Sequence, residues 1–135
     1  METQSNGATE KIYRDVDLTN IIIGCAIEVH KTLGPGLLES VYESCLAHEL
    51  MRAGCVVERQ KRLSVSYKGL EFEEGFRIDL LVNDTIVVEL KCVERVLPIH
   101  EAQLYTYLKL SGKRTGLLMN FLTKLLKDGI QRIAC

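Results

Sequence analysis

The hydrophobic periodicity of this chain changes at Gly54, and this change constrains the fold more than any other feature of the sequence. Before Gly54, apolar side chains recur every three or four residues, which is the period of an amphipathic helix. After it, apolar and polar residues alternate, which is the period of a half-buried strand. A chain with this pattern begins with helices and continues into a β-sheet.

Two helices that form a hairpin are predicted before the change of period. The first covers about residues 18–33, with Asp17 as its N-cap. Gly34-Pro35-Gly36 then breaks the helical pattern. The second helix covers about residues 37–53, and Gly54 follows it in the C′ position that glycine commonly occupies.

The rest of the chain predicts a β meander, a crossover helix and further strands. Lys68-Gly69 turns the chain between the first two strands, and residues 85–91 form a third that is rich in β-branched side chains. A proline can open the third helix, over about residues 98–110. The further strands cover residues 116–121 and 130–133. The predicted fold is α/β, a mixed central sheet flanked by helices.

Length and composition bound the class of protein. A chain of 135 residues with 47% hydrophobic residues is one globular domain, expected over residues 16–135 after a flexible leader at 1–15. The leader has no apolar segment of a secretion signal, and no apolar run is long enough to span a membrane. The five cysteines show no C-x-x-C spacing and make no zinc pattern. We expect a cytoplasmic protein with reduced thiols.

The net charge of −1 hides an asymmetry along the chain. Residues 1–90 carry 9 Lys/Arg and 15 Asp/Glu, whereas residues 91–135 carry 8 Lys/Arg and 3 Asp/Glu. The overall balance argues against a protein that coats nucleic acid without specificity. A basic C-terminal third can nevertheless meet a polyanion, although an uneven, solvated surface explains the same charges.

The pairing of the second and third strands brings charged side chains together. Apolar residues occupy the even-numbered positions of both strands, from Phe76 to Val82 in the second. Matching these positions selects a three-residue connection, Asn83-Asp84-Thr85, which places Asp79 opposite Glu89. Because strand residues two apart share a face, Lys91 lies beside Glu89.

Two carboxylates with Cβ atoms about 5 Å apart repel each other unless a cation lies between them. Mg²⁺ and Mn²⁺ prefer hard oxygen ligands, so Asp79 and Glu89 are candidate metal ligands. Lys91 could orient a water molecule or neutralise charge on a phosphate. The same spacing also fits a surface charge ladder, in which Lys91 pairs with one of the two carboxylates.

The second and third helices carry further candidates. On the third helix, Gln103 and Tyr107 are spaced i, i+4 and share a face, with His100 one turn earlier. This helix follows the Glu-x-Lys strand, as a crossover helix packed on the same sheet would. On the second helix, Glu39 lies in the first turn, where a negative charge stabilises the helix end. Its role is therefore either structural or functional.

The run from Ile27 to Glu43 resembles the signature of the bacterial GxxExxY proteins, with Gly36, Glu39 and Tyr42 at the named positions. The similarity extends over about residues 15–133. Its further motifs are Tyr67-Lys68-Gly69, Asp79-Leu80-Leu81-Val82, Val87-Val88-Glu89-Leu90-Lys91, His100-Glu101-Ala102-Gln103-Leu104 and Asn120-Phe121. That family is classed with the PD-(D/E)xK nuclease superfamily.

The resemblance implies a restriction-endonuclease-like core with a metal-dependent phosphodiesterase site. The residues that it implies are Asp79 and Glu89 for the metal, Mg²⁺ or Mn²⁺, and Lys91, Glu39, Gln103 and Tyr107 for catalysis. The last two resemble the Q-x-x-x-Y motif of the RecB-like branch. Ile78 replaces the proline that precedes the aspartate in the superfamily's name. That proline has no role in the chemistry.

Two functions are compatible with these observations. The first is a Mg²⁺-dependent nuclease that hydrolyses a phosphodiester with a metal-activated water, with DNA as the expected nucleic acid. The second is a non-catalytic nucleic-acid-binding, protein-binding or assembly module on a nuclease fold. It is supported by the small size and by the absence of tryptophan or an aromatic stacking platform. A core this small is expected to need a homodimer or a protein partner to complete a substrate groove.

Overall fold

The computed structural model describes residues 14–135, so residues 1–13 of the predicted leader lie outside the described residues. The helices are α1 (Asp15–Leu33), α2 (Glu39–Arg52) and α3 (Pro98–Ser111), with a 3₁₀ turn at Leu126–Gly129. The strands are β1 (Val57–Tyr67), β2 (Leu70–Val82), β3 (Ile86–Lys91), β4 (Thr115–Asn120) and β5 (Ile130–Ala134). None of the helices in this part of the chain is both long and apolar enough to cross a membrane.

The strands form one mixed sheet in the order β1-β2-β3-β4-β5. The β3–β4 pair is parallel and is connected through α3, while the other three pairs are antiparallel. A parallel pair requires such a crossover connection. The predicted α/β class is confirmed, and the arrangement is consistent with a restriction-endonuclease-like fold.

Each face of the sheet buries its own apolar cluster. The apolar stripe of α1 and the inner side of α2 pack on one face, against Leu80, Val88 and Met119 among others. On the opposite face, Leu104 and Leu108 of α3 pack against the sheet. Burial of these side chains on both faces of β3 and β4 fixes where the charged residues of β2 and β3 can lie.

Three helix boundaries differ from the prediction or refine it. Asp17 is not the N-cap of α1, because the helix already begins at Asp15 and Arg14 precedes it in an extended conformation. The second helix begins at Glu39, two residues later than predicted, and Leu38 precedes it in an extended conformation. The third helix begins with its proline at the first helical position, as predicted.

The predicted connection between β2 and β3 is confirmed. Val82 pairs with Ile86, and Leu80 pairs with Val88. The next position along β2 and β3 places Asp79 opposite Glu89.

The predicted sharing of faces along β2 is partly wrong. Leu80 packs with α1 and α2, whereas Ile78 packs with α3, although both were expected on one face. The alternation of β2 side chains between the two faces of the sheet is interrupted at Asp79. Opposite it on β1, Gln60 has a left-handed φ of 49° and is missing from the ladder, while the pairs on either side keep one register. A residue in this conformation interrupts the pleat of a strand and re-aims the side chains near it.

Candidate active site

Asp79 and Glu89 bind each other's strand through their carboxylates. The backbone N–H of Asp79 donates to Glu89 Oε2 at 2.8 Å. The backbone N–H of Leu90 donates to Asp79 Oδ2 at 2.9 Å. These reciprocal bonds hold the two side chains next to each other where β2 and β3 separate, which is the juxtaposition predicted from the strand register.

Glu89 is the buried member of the pair, with only 5% of its surface exposed. Burial raises the pKa of its carboxyl group to about 8, and the neighbouring charge of Asp79 acts in the same direction. The hydrogen bond from the Asp79 backbone and the charge of Lys91 oppose this rise without cancelling it. The protein surroundings therefore do not stabilise a second negative charge on the pair, and Glu89 holds its proton at neutral pH.

Lys91 lies near these carboxylates without forming an ion pair. Its charge lowers the pKa values of both Glu89 and Glu39, so its ammonium group is within electrostatic reach of both. The ion pairs of residues 14–135 join other residues. A surface charge ladder requires an exposed, paired lysine, so this arrangement does not support the ladder interpretation.

Glu39 approaches the same cluster from the first turn of α2. Glu39 is exposed, but the partial burial of its carboxyl group raises its pKa, and the charge of Asp79 raises it further. Glu39 is therefore within electrostatic reach of Asp79. The structure thus brings Glu39 toward the carboxylate pair, as the resemblance implied.

Tyr107 reaches the cluster from α3, on the other side of the sheet. Its ring stacks on Phe76 with centroids 4.9 Å apart. Burial raises the pKa of its hydroxyl, followed by the charges of Glu89 and Asp79. The hydroxyl therefore stays protonated at neutral pH and can donate a hydrogen bond.

Gln103 and His100 occupy less central positions on α3. Gln103 is exposed, and within the described part of the chain no hydrogen bond joins it to the carboxylates, so its role stays a prediction. The ring of His100 accepts a hydrogen bond from the backbone N–H of Leu97 at 2.9 Å. This histidine therefore caps the start of the helix.

Two residues that contact the site, Gln60 and Glu43, were not predicted from the sequence. The side-chain amide of Gln60 donates to Asp79 Oδ1 at 3.2 Å and also to Glu43 Oε1. Glu43 is 7% exposed on α2 and accepts a second bond from Arg59 Nε at 3.2 Å. Its spacing of four residues from Glu39 was a usable signal, since such residues share a helix face. Gln60 offered none.

The left-handed backbone of Gln60 costs about 1 kcal/mol or more in a non-glycine residue, and such strain persists where surrounding contacts impose it. Here the imposing contacts are the two bonds of its amide. Gln60 thus positions Asp79 by linking it to the buried Glu43 of α2. Because Gln60 acts on the site only by holding Asp79, it is a positioning residue.

Replacing that amide by a carboxylate should destabilise the fold. We expect Gln60→Glu to lower the free energy of unfolding by about 2 kcal/mol at neutral pH, because the new charge would face Glu43 and Asp79 without donating to either. The loss should shrink at about pH 5, where the added carboxyl is protonated more easily. Urea unfolding at both pH values measures it. Gln131→Glu on β5 is the matched control, and an equal loss in that variant would contradict the prediction.

Comparison with known proteins agrees with this geometry. The family model of the PD-(D/E)XK nuclease superfamily matches residues 16–133, which is most of the chain. The chain belongs to this superfamily. No curated protein and no solved structure matches the chain.

Asp79 and Glu89-Leu90-Lys91 are the residues that the sequence predicts as the D and the E-x-K of this superfamily's motif. Nucleases of this superfamily typically use divalent metal ions and act on nucleic acid. Within residues 14–135, however, no three His, Cys, Asp or Glu side chains are grouped so as to hold a metal by themselves. Whether a metal ion fits this site therefore depends on whether two carboxylates are enough protein ligands for it.

Two carboxylates are enough for Mg²⁺, which keeps several waters and commonly takes its remaining ligands from substrate phosphates. Asp79 and Glu89 offer hard oxygen atoms, and one oxygen of each is already fixed by a backbone N–H. A bound cation would supply the positive charge that both carboxylates need in order to be ionised together at neutral pH. The donor set of this PD-(D/E)xK site therefore fits Mg²⁺ or Mn²⁺.

Proposed function

We propose that this chain is a metal-dependent nuclease of the GxxExxY type that hydrolyses phosphodiester bonds in nucleic acid. The observation that carries the proposal is the reciprocally bonded pair of Asp79 and buried Glu89, with Lys91 beside it and, within residues 14–135, in no ion pair. A structural ion cluster would neutralise its own charges. This cluster leaves them available for a metal and a phosphate.

The residues of the GxxExxY signature support the assignment because they shape the segment that presents Glu39. Gly36 has a φ of 102°, in the left-handed region that favours glycine. The Tyr42 hydroxyl accepts from the backbone N–H of Leu37 at 3.0 Å and donates to the carbonyl of Gly34 at 2.5 Å. These bonds hold the loop between α1 and α2, and with it the start of α2 where Glu39 lies.

We assign the roles as follows. Asp79 and Glu89 hold the metal, which when bound lowers the pKa of a water molecule and stabilises charge on the phosphate. The ammonium group of Lys91 orients the attacking water or binds a phosphate oxygen. Glu39 and Tyr107 flank the cluster as an acidic group and a hydrogen-bond donor, and Gln103 helps to hold the substrate from α3.

The remaining parts of the proposal concern the setting of the reaction. DNA is the proposed substrate, and a homodimer or a protein partner is proposed to complete the groove around so small a core. A cytoplasmic location is supported by the free thiols of Cys25, Cys45, Cys92 and Cys135, since secreted domains usually oxidise theirs.

A nuclease assay tests the proposal directly. The purified protein should degrade labelled single- or double-stranded DNA in the presence of Mg²⁺ or Mn²⁺, and chelation with EDTA should stop the reaction. RNA of the same sequences shows whether the preference for DNA holds. Lys91→Ala, purified in the same way, should lose most of the activity and so excludes a contaminating nuclease. Equal activity in both proteins, or none in the wild type on any of these substrates, would favour the non-catalytic binding module.

A further inference from the structure

A pocket of about 370 Å³ opens between the end of α1, the loop before α2 and the 3₁₀ turn after β4. Ile27, Pro35 and Leu125 give it apolar walls. Three lysines also line it, Lys31, Lys124 and Lys127, and all three are exposed to solvent. The pocket thus combines a concave apolar surface with a cluster of positive charge.

A chain of contacts through two buried side chains connects this pocket to the backbone of Lys91. The backbone N–H of Phe121 donates to the carbonyl of Lys91 at 2.8 Å. The ring of Phe121 stacks on Tyr42 with centroids 4.6 Å apart, and the Tyr42 hydroxyl bonds to Gly34, which lines the pocket. The pocket therefore lies at the end of the sheet where β3 and β4 terminate, the end that carries Lys91.

The three lysines are available for an anionic ligand. Within residues 14–135, none of them forms an ion pair. Single-stranded nucleic acid matches both properties of the pocket, because an unstacked base has an apolar face and each nucleotide brings a phosphate. Bases in a duplex are stacked and paired, so they cannot enter a cavity of this kind.

We propose that this pocket binds one nucleotide of a single-stranded nucleic acid, with the base against Ile27, Pro35 and Leu125 and the neighbouring phosphates against the three lysines. The strand then continues toward Lys91. That continuation rests on the proposed nuclease function, whereas binding in the pocket does not. An acidic protein segment would meet the same charges, but the apolar walls beside the lysines favour a ligand that pairs each negative charge with a flat apolar face, as a nucleotide does.

Fluorescence anisotropy with short labelled oligo-dT and oligo-U, in EDTA, tests the binding without cleavage. Lys124→Ala/Lys127→Ala should weaken binding about tenfold and lower the slope of log affinity against log salt by about 1.4, since each phosphate contact with a single strand contributes about 0.7. Lys109→Ala/Arg114→Ala removes the same charge at the opposite end of the sheet and should change the affinity less than twofold.

A second pair of variants tests the apolar wall. Leu125→Glu places a negative charge in the pocket at a side chain that is half exposed, so folding should be preserved, and it should weaken binding at least as much as the double lysine variant. Leu110→Glu on α3, equally exposed, is its control.

Three outcomes would overturn the inference. They are equal losses in the pocket variants and their controls, duplex binding that depends on the same lysines, and displacement of the oligonucleotide by polyglutamate at a comparable concentration, which would identify a site for acidic peptides. If the lysine and leucine variants lose affinity while the wild type cleaves nothing with any metal, the pocket is supported and the nuclease function fails. If the wild type cleaves nucleic acid but the pocket variants bind the oligonucleotides as tightly as the wild type, the nuclease function is supported and the pocket proposal fails.

Discussion

In the absence of metal and at about pH 8, Glu89→Gln should be more stable than the wild type by roughly 4 kcal/mol. A pKa raised from 4.5 to about 8 corresponds to about 5 kcal/mol for the fully ionised group, and at pH 8 Glu89 of the folded state is half ionised. The variant keeps the shape of the side chain and an oxygen that can accept from the backbone N–H of Asp79. It removes the buried negative charge that burial and Asp79 both disfavour.

The direction of the pH dependence follows from the same pKa. The folded state holds the Glu89 proton more tightly than the unfolded state, so the protonated side chain adds stability at low pH. This contribution is complete below the ordinary carboxyl pKa of 4.5 and is lost as the pH rises toward about 8. The wild type should therefore lose stability across this window, while Glu89→Gln should lose much less.

Denaturant unfolding in EDTA at several pH values between about 5 and 8 measures this difference. Glu94→Gln, an exposed residue of the loop after β3, controls for the simple removal of one charge. Titrating groups far from the site affect the wild type and both variants alike and cancel in the comparison, whereas Asp79 and Glu39 are coupled to Glu89 and contribute to the measured difference. Parallel stability curves for the wild type and Glu89→Gln would show that Glu89 is ionised without cost.

Asp79→Asn is a less simple test of the same repulsion. Asp79 accepts two hydrogen bonds, from the backbone of Leu90 and from the amide of Gln60. An asparagine has only one side-chain oxygen, so it would relieve the like charge but leave one donor without an acceptor. The two effects oppose each other, and the stability of Asp79→Asn should lie close to that of the wild type.

The placement of the motif carboxylates could be predicted because it depends on a simple periodic property. Apolar residues at even positions of β2 and β3 fix the register, and the register alone brings Asp79 and Glu89 together. The crossover helix with Tyr107 follows from the parallel pairing of β3 with β4, which the order of elements requires.

The contribution of β1 could not be predicted in this way. Gln60 lies in the left-handed region, where the alternation of strand side chains is interrupted, and no sequence pattern signals this conformation in a glutamine. Its partner Glu43 carries one signal, because it lies four residues after Glu39 on the same helix face, but nothing in the sequence links it to Gln60. The same interruption explains why Ile78 and Leu80 pack on different faces although their spacing predicted one face.

Mg²⁺ or Mn²⁺ should stabilise the folded wild type, by about 2.7 kcal/mol at a hundredfold excess over Kd, because a ligand that binds only the folded state shifts the unfolding equilibrium. Metal binding must displace the proton from Glu89, so the stabilisation should be larger at about pH 8 than at about pH 6.5. Thermal unfolding with and without metal at the two pH values measures both effects.

Two variants separate the holding of the metal from the chemistry. Asp79→Asn should lose both the metal-dependent stabilisation and the turnover, since it removes a ligand. Lys91→Ala should keep the stabilisation but lower turnover by about 10²- to 10⁴-fold, the range for groups that transfer protons or stabilise developing charge. Calorimetric titration with Mn²⁺ and a nuclease assay on the same preparations distinguish these patterns.

A stabilisation that Asp79→Asn retains would mean that the metal binds elsewhere. If Lys91→Ala lost the metal-dependent stabilisation, the ammonium group would be required for metal binding. The proposed role of Lys91, orienting the water or binding the phosphate, would then be wrong.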